Sequence, residues 1–245
     1  ICTPLSLLRV EIYHHLHYNG SRHTEERPMA RVLVIGDLHL PAVHPDYLEF
    51  CKALKKKYRT NKTVFIGDVL DLHAISFHKK HPESDGAIAE YDKAMEDLKE
   101  WKRAFPTARV CIGNHDERIH RLAADSGIPQ MYLRDYSELY KTPKWEWDYS
   151  FVEDDVFYYH GTGQNNQYPS FNAARTRGCS VVSGHTHSVA SINWMAGPTH
   201  KVFGMNVGSG IDINHKGMAY GNVFLKKPII SAGVVIDGHP YLELM

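Results

Sequence analysis

A short, mostly apolar run, Ala108 to Ile112, opens directly into Gly113-Asn114-His115-Asp116-Glu117, and a segment of helical character, Arg118 to Ala124, follows. The run reads as a buried strand, and glycine lets its end bend where another residue would be strained. Three successive side chains bearing donors, acceptors or metal-binding atoms are more than a turn requires. The arrangement recurs. Arg31 to Ile35 ends in Gly36-Asp37-Leu38-His39, and Thr63 to Ile66 ends in Gly67-Asp68-Val69-Leu70-Asp71. Val156 to Tyr159 meets His160-Gly161, and Val181 to Ser183 ends in Gly184-His185-Thr186-His187. In open α/β sheets, functional groups gather at the carboxyl ends of strands. The chain is therefore constrained to a fold that brings five strand ends to one crevice.

The intervening segments fit that constraint. Pro45 to Tyr58 has helical spacing in Tyr47, Leu48, Cys51 and Leu54, and Lys55 to Lys57 suit the negative end of the helix dipole. Strand, helix, strand in that order predicts a parallel βαβ unit. Ala87 to Phe105 reads as an amphipathic helix with Ile88, Tyr91, Met95, Leu98 and Trp101 on its buried face. Between them, Leu72 to Gly86 is a polar insertion, a surface loop or short helix near the strand ends. A second helix is expected over Pro129 to Tyr140.

From Trp145 onward the pattern changes to short β segments. They are Trp145 to Val152, Val156 to Tyr159, Val181 to Ser183, Val189 to Trp194, Lys201 to Val207, Asn222 to Leu225, Ile229 to Ile236 and Tyr241 to Leu244, with one helix at Ser170 to Arg177. No linker separates the α/β half from the β-rich half, so residues 29–245 read as one α/β domain with two packed sheets. Residues 1–28 lack a sustained period. Met29 stands just before the first strand and reads as a native start. Glu25-Glu26 would then derive from a purine-rich ribosome site of bacterial or phage type. The alternative is a flexible or docked arm.

The totals exclude some classes. Lys plus Arg equals Asp plus Glu, which argues against a protein that lives on electrostatic capture of nucleic acid. The four cysteines are scattered without CxxC spacing and read as reduced residues of a cytoplasmic protein. No apolar run approaches the ~20 residues of a membrane span. The 17 histidines are a prompt to look for metal.

At the strand ends the candidate ligands are Asp37, His39, Asp68, Asn114, His160, His185 and His187. Oxygen and imidazole donors without thiolate suit first-row ions such as Mn, Fe or Zn. They outnumber the needs of one ion; two ions sharing a carboxylate, about 3.5–4 Å apart, fit better.

Taken together, Asp37-x-His39, Gly67-Asp68-x-x-Asp71, Gly113-Asn114-His115-Asp116, His160-Gly161 and Gly184-His185-x-His187 resemble the motif series of the calcineurin-like metallophosphoesterases. Each motif alone is common by chance, whereas five in the family's order are specific. Asn206-Val207-Gly208-Ser209 is similar to the family's late Asn-Pro-Gly-Ser, with Val in place of Pro. The resemblance implies a four-layer α/β/β/α sandwich of two mixed sheets flanked by helices. It implies one metal on Asp37, His39, Asp68 and His187 and another on Asp68, Asn114, His160 and His185, with Asp68 bridging. Mn2+ is the expected ion, with Fe, Zn or Ni as alternatives. It implies attack on a phosphate ester by a metal-bridging hydroxide, with His115 as general acid oriented by Asp71. Asp116 reads as a supporting residue at the start of a helix.

Departures narrow the substrate. Protein phosphatases of this superfamily carry Arg-Gly where this chain has Leu72-His73, and Glu where it has Asp116. Gly-Asn-His-Asp is shared with the nuclease and phosphodiesterase branches. A phosphodiester or phosphomonoester of nucleotide or nucleic-acid type is the expected substrate, and Arg118, His73 and His78 are candidate substrate contacts. The alternatives are a phosphoprotein phosphatase, or a non-catalytic scaffold on the same fold, which would be expected to lack His115 or some of the ligands.

Overall fold

The computed structural model describes residues 30–77, 82, 84–215 and 225–245. The expected start at Met29, the residues before it, His78 and nearly all of the strand expected at 222–225 lie outside these. The first half runs β1 (Arg31–Ile35), α1 (Tyr47–Tyr58), β2 (Lys62–Phe65), α2 (Ala87–Ala104), β3 (Ala108–Cys111), α3 (Arg118–Asp125), α4 (Tyr136–Leu139) and β4 (Trp145–Asp148). The second half runs β5 (Ser150–Glu153), β6 (Val156–Tyr159), α5 (Pro169–Arg177), β7 (Ser180–Ser183), β8 (Ala190–Ala196), β9 (Lys201–Val207), β10 (Ser231–Ile236) and β11 (His239–Leu244).

One sheet has the order β11-β10-β1-β2-β3-β4 and the other β5-β6-β7-β9-β8. In the first, β1 to β4 are parallel neighbours and β10 and β11 are antiparallel. In the second, β6, β7 and β9 are parallel and β5 and β8 are antiparallel edges. Both sheets are therefore mixed, as expected. Parallel β1, β2 and β3 end together, and parallel β6 and β7 end together; these are the strands that carry the five polar motifs.

Alternation along the strands builds the layers. Val32, Val34, Val64, Ile66 and Cys111 point to the inter-sheet core, where they meet Tyr158, Val182, Phe203, Met205 and Val207. Leu33, Ile35, Phe65 and Val110 point the other way, onto Tyr47, Cys51 and Leu54 of α1 and Leu98 and Trp101 of α2. On the far side, α5 packs Ala173 and Ala174 against Val181. Helix, sheet, sheet and helix thus form the four layers. Among the described residues no helix is long and apolar enough to cross a membrane.

Three expectations are corrected. Ile88 is not on the buried face of α2 but 80% exposed; Glu90, Ala94, Met95, Leu98 and Trp101 are buried instead. The helix turns its first turn toward the polar insertion, where the Glu90 carboxylate accepts from the backbone N–H groups of His73 (2.6 Å) and Ala74 (2.7 Å). Those donors stand at a one-turn 3-10 segment, His73–Ile75, which is the short helix of the insertion. Residues 129–140 are not one helix. A 3-10 turn at Gln130–Tyr132 is followed by extended Leu133, and α4 begins afresh after extended Asp135. The strand expected over residues 145–152 is two strands in different sheets: β4 pairs with β3, and β5 pairs with β6. The break falls at Tyr149, whose N–H is taken by the Asp148 carboxylate at 2.6 Å.

Trp101 stacks on Phe105 and meets the rings of Tyr47 and Phe65 within about 6 Å. Truncating a buried Trp costs about 3–5 kcal/mol. Trp101→Ala is expected to destabilise the chain by that amount in urea unfolding, whereas Ile88→Ala on the same helix is expected to change stability by less than about 0.5 kcal/mol. Equal effects would contradict the orientation of α2.

Candidate metal centre

The five strand ends meet where the two sheets close on each other. Backbone hydrogen bonds fix the meeting. The His185 N–H of one sheet donates to Asp37 Oδ2 of the other at 2.9 Å. His160 Nδ1–H donates to the Ile66 carbonyl at 2.9 Å, and Gly184 N–H to the His160 carbonyl at 2.9 Å. The His115 N–H donates to Asp68 Oδ1 at 2.8 Å. Gly113 is required at this approach: a methyl built there would stand 2.1 Å from Asp68 Oδ1 and 2.5 Å from its backbone nitrogen. His39, Asp68 and His185 all take left-handed backbone conformations, with φ of 51°, 49° and 62°. Such strain in non-glycine residues collects at functional sites, where the surroundings hold it in place.

Potential ligand atoms among the described residues fall into three groups: two share Asp68, and the third, His39, Asp71 and His115, is held together by both imidazoles on Asp71 Oδ1. Asp37, His39, Asp68 and His187 form the first, and Asp68, His160 and His185 the second, with ligand atoms within 4.8 Å of one another in each. Asn114 joins the second set, its Oδ1 lying 3.2 Å from His160 Nε2. Asp68 Oδ2 is 3.6 Å from His39 Nε2 and 3.2 Å from His160 Nε2, so one oxygen faces both sets. All residues read from the sequence as ligands are therefore brought together.

The donor set fits divalent metal ions. His39 Nε2 and His187 Nε2 face each other at 3.2 Å, and Asp37 Oδ2 lies 3.0 Å from the latter. His39 already commits Nδ1–H to Asp71 Oδ1 at 2.9 Å, which leaves a lone pair on Nε2. Lone pairs converging in a buried site repel unless a cation or proton lies among them. Asp37 Oδ1 is buried without any hydrogen-bond partner, so it too has capacity for a cation.

The charges match this geometry. Burial, with the neighbouring His115 and His187, pushes His39 down to about 4, the direction that keeps a ligand nitrogen free. Burial alone would lower His160, but Asp68 and Asp37 lift it to about 10. His115 is raised: Asp68 and the Asp71 hydrogen bond outweigh its burial. Asp71 is held well below the usual carboxylate range, because bonds from His115 and His39 overcome the upward push of burial.

The candidate catalytic residues sit beside the two sets. His115 Nδ1 is 2.8 Å from the Asp71 carbonyl and 3.0 Å from Asp71 Oδ1. The pairing of His115 with Asp71 is thus present. The sequence did not reveal that the same carboxylate oxygen also serves His39. The fold supplies the partners of two supporting residues. Asp116 accepts from Val69 N–H at 3.1 Å and Gly113 N–H at 3.0 Å, tying the second motif to the third. Burial and Asp68 lift it to about 7. Asn206 donates to the Gly184 carbonyl at 2.9 Å and accepts from Gly208 N–H, bracing the loop that carries His185.

Of the candidate substrate contacts, Arg118 is buried against His115 and Asp71. His73 is buried in the wall of a cavity of about 500 Å3 that also includes Asp71, Asp85, Glu90, Lys93 and Asp212.

The sequence profile of the calcineurin-like phosphoesterase family matches residues 30–176, more than half of the chain. The chain belongs to that family. No curated protein matches it. Solved structures similar to it include a metallophosphoesterase from Sphaerobacter thermophilus, at 16% identity over 89% of this chain and 88% of that one, TM-score 0.44. Another is YfcE, a phosphoesterase from E. coli, at 18% identity over 84% and 87% of the two chains, TM-score 0.40. A third is Vacuolar Protein Sorting 29 from Cryptosporidium parvum, at 15% identity over 89% and 97%, TM-score 0.42.

Two outcomes follow for metal binding. Gly113→Ala displaces the Asp68 carboxylate and is expected to weaken Mn2+ binding about tenfold or more by calorimetric titration. Ligation by His160 would displace its proton, so affinity for a divalent ion such as Mn2+ is expected to rise as pH rises from 6.5 toward 10, with net proton release. An affinity independent of pH over that range would contradict the assignment.

Proposed function

We propose that the protein is a dinuclear metal-dependent phosphoesterase. The observation that carries this reading is the pair of ligand sets sharing Asp68, with an imidazole outside both sets held beside them by a carboxylate. In this reading Asp37, His39, Asp68 and His187 hold one ion, and Asp68, Asn114, His160 and His185 hold the other. Mn2+ is the favoured ion. When bound, the ions supply Lewis acidity toward the phosphoryl oxygens and an activated water nucleophile.

The chain's own residues do the rest. Asp71 fixes His115 with Nδ1 toward its carboxylate and backbone carbonyl, so Nε2 faces away from Asp71, with Arg118 Nη2 3.1 Å from it. Against its burial, Asp68 and the Asp71 hydrogen bond shift His115 upward, the direction that favours a proton on the ring. His115 then gives the Nε2 proton to the departing oxygen as general acid. Asp71 at the same time fixes the tautomer of His39, leaving its Nε2 lone pair for an ion.

The preferred substrate is a small phosphodiester or phosphomonoester of nucleotide type. The cavity beside Asp71 supports a small polar leaving group: Asp85, Glu90, Lys93 and Asp212 line it, with Lys93 paired to Asp85 at 2.6 Å. The complete set of ligand types, with His115 in place, argues against a scaffold that has lost its chemistry.

The test uses Mn2+-loaded protein with bis-p-nitrophenyl phosphate and p-nitrophenyl phosphate. Wild type is expected to hydrolyse at least one ester. His115→Ala is expected to lower kcat by about 10²–10⁴-fold with Mn2+ content unchanged. Wild type and variant equally inert with Mn, Ni, Zn and Mg would defeat the enzyme reading.

A further inference from the structure

Arg118 is the first residue of α3 and follows His115 by three positions. Its side chain is buried, yet among the described residues no carboxylate lies within ion-pair distance of it. Its hydrogen bonds run to the backbone carbonyl of Asp71, 2.5 Å from Nη1, and to His115 Nε2, 3.1 Å from Nη2. A guanidinium has five N–H donors in a rigid fork. Burying that charge without an anion is costly.

The nearby acids make their hydrogen bonds to other groups, and Glu90 acts on Arg118 only through space. Asp71 Oδ1 takes His39 and His115. Asp68 takes the His115 N–H through Oδ1 and faces His160 through Oδ2. Glu90 takes the N–H groups of His73 and Ala74, and Asp116 takes those of Val69 and Gly113. Among the described residues none of these acids forms a direct ion pair with the guanidinium, so its N–H donors are open to an anion from outside.

We infer that Arg118 is the receptor for a phosphoryl oxygen of the substrate, an inference that rests on the phosphoesterase reading above. Position supports it as well as charge. Because His115 turns Nδ1 to Asp71, its Nε2 is the ring atom left for a substrate oxygen, and the guanidinium already stands 3.1 Å from that atom. Any ester oxygen that reaches His115 comes within reach of Arg118. The planar fork matches two oxygens of a tetrahedral phosphoryl group in a way that a lysine point charge does not. The guanidinium rests on His115 and the Asp71 carbonyl; a phosphoryl group would take over its N–H donors.

The test is calorimetric titration of the Mn2+-loaded protein with inorganic phosphate, in wild type, Arg118→Ala and Arg118→Lys. Wild type is expected to bind phosphate. Arg118→Ala is expected to bind it about tenfold or more weakly, as for loss of a charge-assisted bond, with Mn2+ content unchanged. Added guanidinium is expected to restore part of the affinity, which a merely structural arginine would not require. Arg118→Lys is expected to fall between the two, and it decides the question alone if the alanine variant does not fold. Phosphate affinity equal to wild type in the folded variants would overturn the inference and leave the phosphoesterase reading standing. A wild type that neither binds phosphate nor cleaves either ester would overturn both.

Discussion

The carboxylate of Asp68 is the point on which the site depends. Oδ1 is pinned by the His115 N–H, and Oδ2 is left facing His39 on one side and His160 on the other. That division requires the third strand end to approach the second closely enough that only glycine fits at position 113. It also requires Asp68 to hold a left-handed conformation that an aspartate rarely takes. The cost is borne by the sandwich, whose parallel strands deliver both ends to the same height. The two sheets are joined there by hydrogen bonds between motifs rather than by apolar packing alone: His185 to Asp37 and His160 to Ile66.

A second carboxylate couples the metal-binding and acid functions. One oxygen of Asp71 receives both His39 and His115, so the orientation of a candidate ligand and that of the candidate acid are set by the same atom. The rings of His39 and His115 meet edge to face with centroids 4.3 Å apart. Loss of Asp71 would therefore disturb both functions together, whereas loss of His115 leaves the ligand sets intact. On the proposed reading, His115 is therefore the residue whose loss would separate binding from turnover.

The layers and the strand ends were legible because they rest on local pattern. Buried parallel strands read as apolar runs, and each run ended in a conspicuous polar cluster. What was not legible rests on contacts between distant residues. The burial of Glu90 was hidden because a charge on a helix ordinarily reads as solvated, and its reason lies in two backbone donors of a turn far along the chain. Ile88 was misplaced by the same rotation of α2. The division of residues 145–152 between two sheets was hidden because both halves have ordinary strand character, and only pairing with β3 or β6 distinguishes them. Within the site, the residue types announced metal chemistry, but the bracing by Asp116 and Asn206 and the absence, among the described residues, of a direct ion pair for Arg118 are properties of three-dimensional placement.

The central claim is that Asp68 is shared by two ions. The most direct measurement is the anomalous difference density of crystals grown with Mn2+. The account predicts two peaks about 3.5–4 Å apart, one beside His39 and His187 and one beside Asn114, His160 and His185, with Asp68 between them. A single peak, or two peaks that do not share Asp68, would contradict it.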